Sequence, residues 1–293
     1  MNCKLCGKST QKIVYKGKIR DGKIGNYTKS EISMYECEYC GAIFHETFED
    51  LETLYETEEY RNKMGEVAEK SQFDSIHDVE NFEKFRYTGM DIFRGKTVAD
   101  IGCGGGSFLD FIGGVASEVV AIEPTEAYHS SLKNRGYRAY SYASEALECY
   151  ARKVDTVVSF DVIEHVENPM EFIKDIKSLL KEGGVGVIGT PTDAPVMRSL
   201  LGDVYSSFLF STQHPWVLGE KSFSYIAKML DIQSYECLYF QRYGLNNLFN
   251  WLKTGQPRGK EEFEFVTSAM DKVWVTELEK MRVSDYIVFK FAK

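Results

Sequence analysis

From Lys96 onward the apolar positions of the chain fall into a repeating order. Short continuous apolar runs alternate with segments whose apolar residues recur at three- and four-residue steps. "TVADIG" (97–102) reads as a buried strand and "SFLDFIGGV" (107–115) as a helix. "EVVAIEP" (118–124) is the next strand, followed by "EAYHSSLKNRG" (126–136), a helix closed by glycine. "RAYSY" (138–142) predicts a short strand, and "VDTVVSFDVIEHV" (154–166) contains a strong one. "PMEFIKDIKSLLKEGG" (169–184) opens on proline and closes on glycines, the end signals of a helix. "VGVIGTP" (185–191) is a further strand. Alternation at these lengths predicts a parallel, doubly wound α/β sheet.

The flanks read differently. After Pro191 comes an irregular, aromatic-rich stretch to Trp216. "KSFSYIAKMLD" (221–231) is then helical, "IQSYECLYFQRY" (232–243) strand-like, "EEFEFVTSAMDKVWVTELEKM" (261–281) helical and "SDYIVFKFAK" (284–293) a final strand. Upstream, "KIVYKG" and "ISMYEC" are short β-like runs, and "FEDLETLYETEEYRNKM" and "SIHDVENFEKFRYTGMDIF" have helical spacing. The expected organisation is a small module over 1–45, a helical linker or lid over 46–92, and a main domain over 93–293. That domain carries an insert at about 192–220. There is no internal repeat.

With 293 residues, 43% of them hydrophobic, the chain buries a sizeable core. Its 44 acidic and 35 basic residues leave a net charge of -9, which argues against nucleic acid and anionic membranes as partners. The start "MNCKLCGKST" lacks an apolar signal core, and no uncharged run reaches the ~18 residues of a membrane helix. The expectation is a soluble, cytoplasmic protein.

Four of the seven cysteines form two C-x-x-C pairs, Cys3/Cys6 and Cys37/Cys40, while Cys103, Cys149 and Cys237 are isolated. Odd number and clustering both argue against a disulfide framework. Two such pairs suit a tetrathiolate zinc site, and Gly7 and Gly41 behind each pair allow tight knuckles. Four thiolates leave no open coordination position, so the Zn2+ would be structural. The alternatives are two unrelated surface pairs or a redox dithiol, but the dithiol motif belongs beside a βαβ unit.

The strand ending at Asp100 runs into Gly102-Cys103-Gly104-Gly105-Gly106. A dinucleotide fingerprint wants G-x-G-x-x-G, and here its last position is Ser107. A P-loop fails because no Lys-Ser or Lys-Thr follows. The spacing that fits is G-x-G-x-G. With Glu123 ending the second strand, Asp161 ending the fourth, and "LLKEGGVGVIGTP" as helix, turn and fifth strand, the chain resembles the class I S-adenosylmethionine-dependent methyltransferases. The resemblance covers about Val98 to Pro191. It implies a Rossmann-like, seven-stranded sheet whose last strand is antiparallel, beside a small N-terminal zinc ribbon. It also implies S-adenosylmethionine as cofactor. The glycines let the cofactor's amino acid part and ribose lie against the turn. Asp100 would accept from its ammonium and Glu123 from the two ribose hydroxyls. By the same resemblance Pro124 belongs to the cofactor wall, Ala143, with Tyr142 and Ser144, flanks the adenine, and Phe160 and Asp161 lie beside the methionine part. Tyr60, or Tyr55, is either a lid or simple helix packing. The cysteine pairs and "QRYGLNNLFNWLKTGQPRG" resemble a bacterial subgroup associated with sugar and surface-glycan biosynthesis.

Transfer to an oxygen or nitrogen also needs a base. His45, His77 and His129 read as surface or packing residues. His214 in "STQHPWVL", within the insert, and His165 in "DVIEHV", past the fourth strand, are the candidate bases. The insert's aromatic residues, Trp216 among them, suit a sugar face, or equally a hydrophobic lid or dimer surface. Arg242, beside Tyr243, suits a phosphate or carboxylate of the acceptor, and Lys253, Arg258 and Lys260 follow. A solvated basic loop is the alternative. The expected acceptor is a small molecule, a sugar or phosphorylated sugar, methylated on oxygen. Two rival readings are an NAD-dependent oxidoreductase and a non-catalytic binding protein that senses cofactor.

Overall fold

A computed structural model describes residues 1–45, 70–257 and 262–293 of the chain. The expected linker helix before residue 70, with Tyr55 and Tyr60, lies outside the described residues, as do Arg258 and Lys260. The chain begins with strands β1 (Ile13–Gly17), β2 (Ile32–Glu36) and β3 (Ile43–Phe44). It continues through α1 (Lys70–Thr88), β4 (Thr97–Ile101), α2 (Ser107–Ile112), β5 (Glu118–Ile122), α3 (His129–Asn134), β6 (Arg138–Tyr140) and α4 (Ala143–Tyr150). Next come β7 (Val154–Phe160), α5 (Pro169–Leu179), β8 (Leu180–Pro191), α6 (Pro195–Leu201), α7 (Asp203–Leu209) and β9 (Trp216–Val217). The last elements are α8 (Glu220–Met229), β10 (Ser234–Phe240), α9 (Leu245–Thr254), α10 (Ser268–Lys280) and β11 (Tyr286–Ala292).

The large sheet has seven strands in the order β10-β11-β8-β7-β4-β5-β6. β4 is parallel to both its neighbours, β5 and β7, and β5–β6 and β7–β8 are parallel as well. β11 runs the other way. Gly183 N–H donates to Lys293 O at one end of the β8–β11 pair and Thr192 N–H to Asp285 O at the other. This is the doubly wound sheet with an antiparallel last strand that the sequence predicts. Winding proceeds outward from β4 in both directions, so the chain reverses between β4 and β7. Ligands of such sheets bind beyond the strand ends at that reversal.

The chain forms two compact units. One is Asp50–Gly189 with Ser224–Glu236 and Phe289–Lys293; the other is Met1–Glu49 with Thr190–Phe223 and Cys237–Val288. The second unit holds a four-stranded sheet, β1-β2-β3-β9, whose last strand comes from the insert. Ile19, Met34 and Ile43 share one core with Ala194, Met197, Tyr205, Phe210 and Val217 of the insert, and with Leu248 and Trp251. Residues 1–45 therefore pack in a common core with the insert.

Several elements differ from the sequence reading, which places no helix at α4 or α9. α5 stops at Leu179 rather than near Gly184, because the following backbone joins the sheet through the Gly183–Lys293 hydrogen bond. A side chain at Gly184 would also meet the carbonyls of Lys181, Asp155 and Val154 at 2.9–3.1 Å. α10 begins at Ser268 rather than 261, because the Thr267 side chain accepts from Met270 N–H and sets the start there. The stretch expected to be irregular contains α6, α7 and β9. No helix among the described residues is long and apolar enough to cross a membrane.

Candidate functional site

The glycine turn joins β4 to α2. Gly102, Gly104 and Gly106 all have left-handed backbones, with φ of 78°, 54° and 79°. Gly102 is required twice over, since a Cβ there would lie 2.2 Å from Val162 Cγ2. Gly102 N–H donates to Ile122 O at 2.7 Å, which fastens the turn to the end of β5.

Glu123 follows directly. Its carboxylate is buried, at 4% exposure, and accepts from two backbone donors: Gly104 N–H to Oε2 at 2.8 Å and Thr125 N–H to Oε1 at 3.0 Å. Each oxygen has a second lone pair, so acceptor capacity remains for a pair of hydroxyls. Asp100, at the end of β4, is 3% exposed. Burial pushes its carboxyl up to about 6, the Glu123 charge adds to the rise, and Lys84 opposes it. A buried, incompletely compensated carboxylate is a receptor for a cation such as an ammonium group.

Four residues around this site, Arg135, Asp78, Asn81 and Lys84, were not singled out in the sequence. Arg135, in the turn after α3, donates from its guanidinium to the carbonyls of Gly105 and Gly106 and, at 2.6 Å, to Asp110 Oδ1. It holds the glycine turn from outside. Ser107, the residue that breaks the dinucleotide template, donates to Asp78 Oδ1 at 2.6 Å and accepts from the fully buried Asn81. Its hydroxyl ties α1 to the start of α2. Lys84, also on α1, lies over the rings of Phe108 and Phe160, 5.3 and 5.7 Å from their centroids. None of these residues belongs to a short motif. Only the tertiary approach of α1 and α3 brings them to the turn.

The other expected positions fall as follows. Phe160 is buried at the end of β7, with its ring edge-on to Phe108 at 6.0 Å. Asp161 is exposed and takes a left-handed backbone, φ 56°, uncommon outside glycine. Pro124 and Ala143 are half-buried, Ala143 at the start of α4. His165 is half-buried, in a turn closed by its N–H donating to Val162 O. Tyr60 lies outside the described residues.

In the second unit, His214 is half-buried in a tight turn closed by its N–H donating to Ser211 O at 3.1 Å. Trp216 is buried in β9 with its ring 5.9 Å from that of Phe44. Arg242 lies over the Tyr286 ring, 4.5 Å from its centroid, with Nε 3.5 Å from Asp285 Oδ2. Its backbone N–H also donates to Asp285 Oδ1 at 2.8 Å. Tyr243 stands edge-on to Trp251 at 6.1 Å.

The four sulfurs of Cys3, Cys6, Cys37 and Cys40 lie within 4.8 Å of one another. Cys3–Cys40 and Cys6–Cys37 are 3.6 and 3.5 Å apart. Thiolates around a tetrahedral Zn2+ at about 2.3 Å stand roughly 3.8 Å apart, so the cluster fits that ion. Gly7 and Gly41 are left-handed, and their N–H groups donate to Cys3 O and Cys37 O, closing both knuckles. A hydrogen bond from Cys40, helped by backbone N–H groups of Cys6 and Leu5 and opposed by burial, brings the Cys3 thiol down to about 5.

Comparison with known proteins agrees with the fold. An Archaeoglobus fulgidus SAM-dependent methyltransferase superposes with a TM-score of 0.51 at 18% identity, covering 80% of this chain and 98% of its own. A chain from the complex of the Haloferax volcanii Trm112 methyltransferase activator with a methyltransferase gives 0.53 at 12% identity, covering 84% and 99%. In sequence, a ubiquinone biosynthesis O-methyltransferase of Caulobacter vibrioides is 36% identical over 106 residues, 33% of this chain and 42% of its own. One from Roseobacter denitrificans is 27% identical over 133 residues, 42% and 54%. The chain thus spans about half the length, or less, of the curated relatives it matches. Residues 73–231, more than half of the chain and the stretch that holds the glycine turn, Asp100 and Glu123, match the methyltransferase domain family, and the chain belongs to that family.

Proposed function

We propose that this chain is an S-adenosylmethionine-dependent methyltransferase that methylates an oxygen of a small-molecule acceptor. The observation that carries the reading is the glycine turn bonded to a buried Glu123 carboxylate, with Asp100 beside it. When bound, the cofactor's sulfonium supplies an electrophilic methyl group. Asp100 receives the cofactor's ammonium and Glu123 the two ribose hydroxyls. Pro124 and Ala143 form the wall around its base, and Phe160 and Asp161 flank its methionine part.

An acceptor hydroxyl must lose its proton as the new bond forms. His214 is the preferred base and His165 the alternative. The relatives named as O-methyltransferases support oxygen as the methylated atom. The finer acceptor class, a sugar, nucleotide-linked sugar or surface-glycan precursor, rests on the subgroup resemblance of the cysteine pairs and the "QRYG" segment. Arg242 and Tyr243 would bind it, with Trp216, buried against Phe44, supporting that side from within β9. Because Asp285 faces the Arg242 guanidinium, that arginine serves as an oriented N–H donor more than as a free cation. The four cysteines hold a structural Zn2+. The charge balance and the expected cytoplasmic location favour a soluble metabolite over nucleic acid or membrane.

Calorimetry with S-adenosylmethionine and, separately, NAD tests the cofactor. Micromolar affinity for NAD with none for S-adenosylmethionine would sink the reading. Formation of S-adenosylhomocysteine from a metabolite pool tests turnover. His214→Ala should lower that turnover about a hundredfold or more while leaving cofactor affinity within twofold.

A further inference from the structure

The turn that carries His214 is gripped on both flanks by N-terminal residues. Upstream of it, Arg20 N–H donates to the carbonyls of Ser207 and Phe210, and Thr212 N–H donates back to Arg20 O, all at 3.0 Å. The Thr212 hydroxyl donates to Asp21 Oδ1 at 2.9 Å. Downstream, β9 pairs antiparallel with β3, Trp216 opposite Phe44 and Val217 opposite Ile43. Between these two clamps the segment turns back on itself, with Ser211 and Gln213 fully buried.

The downstream clamp leads straight to the cysteines. β2 ends at Glu36, the Cys37–Cys40 knuckle follows, and β3 begins at Ile43 opposite Glu36. The knuckle is the hairpin turn of β2 and β3, closed by Cys37 N–H to Ala42 O and Gly41 N–H to Cys37 O. The Lys221 ammonium donates to Glu38 O inside the same knuckle. β3 has only two residues, too few to hold its own position. A four-thiolate metal site supplies folding free energy to the turn it closes. Its position therefore passes through one short strand to β9 and to the turn before it.

We propose that Zn2+ at Cys3, Cys6, Cys37 and Cys40 positions His214, with Thr212, Asp21, Phe44 and Trp216 as positioning residues. The N-terminal module is then the rigid half of the acceptor side. The catalytic consequence rests on the proposed function, through the role of His214 as base; the coupling itself does not.

The test uses the full chain labelled with 15N-histidine, the His214 ring resonance being assigned by its loss in His214→Gln. Metal is stripped with p-hydroxymercuribenzoate and EDTA and restored with zinc chloride. The expected result is a His214 resonance that moves and returns, with amide exchange at Trp216 and Val217 faster by about tenfold or more in the stripped state. S-adenosylmethionine affinity should stay within twofold. Loss of cofactor binding on stripping would overturn the proposal, since the metal would then hold the whole chain and not this turn. In metal-replete Thr212→Val the His214 resonance should also move. kcat should fall roughly five- to tenfold with a displaced pH limb, and Thr212→Ser should restore both. An unmoved His214 resonance in both the stripped protein and Thr212→Val would refute the coupling. A moved resonance with an unchanged pH profile would keep the coupling and remove His214 as the base.

Discussion

Gly104 gives its backbone N–H to Glu123 Oε2 at 2.8 Å, so the middle of the glycine turn and the acid after the next strand are one bonded unit. The turn is shaped by the same carboxylate that is proposed to take the ribose. Glu123→Gln replaces one of two acceptor oxygens with a donor and leaves either Gly104 or Thr125 N–H without its partner. The expected result is cofactor affinity weakened about 10- to 100-fold, measured by calorimetry. Unchanged affinity would remove Glu123 from the cofactor site.

The raised Asp100 carboxyl predicts a pH dependence. Burial disfavours its charged form, so the native state keeps the proton up to about pH 6, whereas the unfolded chain loses it near 4. Stability contributed by this group therefore declines as pH rises from about 4 through 6 and is level above that. Cofactor binding should run the opposite way, because an ammonium needs the charged carboxylate. Affinity should drop by up to about tenfold per pH unit below 6, and Asp100→Asn should flatten that response. A wild-type Kd constant between pH 5 and 7 would contradict the ammonium role.

A methyl group at Gly102 has no room. Gly102→Ala places Cβ against Val162 Cγ2 on a backbone of φ 78°, and should cost about 1–3 kcal/mol and most cofactor binding. Adding Val162→Ala relieves the contact but not the backbone strain. The double variant should recover part of the stability in thermal unfolding; no recovery would mean that strain alone matters.

Arg135 is expected to act through the turn it holds. Arg135→Ala removes the donors to Gly105 and Gly106 O and the charged bond to Asp110, and should weaken cofactor binding about tenfold with the fold intact. Circular dichroism and calorimetry on one sample separate the two effects. Full affinity in the variant would show that the turn holds its shape without the clamp.

Local chemistry is what made the main domain legible. Apolar runs of strand length, the proline and glycines bounding α5, and the spacing of Gly102, Gly104 and Gly106 depend on neighbours a few residues away. Sequence reading therefore found the sheet and the glycine turn, and it singled out Asp100, Glu123 and the two cysteine pairs. It misplaced the end of α5 and the start of α10, where a sheet partner at Lys293 and a cap at Thr267 outweigh the helical spacing.

Long-range pairing decided the rest. Arg135 and Asn81 reach the glycine turn from 29 residues after and 26 residues before their partners, Gly106 and Ser107. Asp21 meets Thr212 across 191 residues. β3 and β9 are two-residue strands with no periodicity of their own; β3 is held between β2 and β9, and β9 by its pairing with β3. The sequence by itself determined that a glycine turn, an acid at the end of each of two strands and two cysteine pairs would be present, because each is written in local spacing. Only the tertiary structure decided that the strands following the cysteine knuckle and the His214 turn pair in one small sheet, with Ile43 and Val217 in one core, because strand pairing and core packing join residues that no local pattern connects.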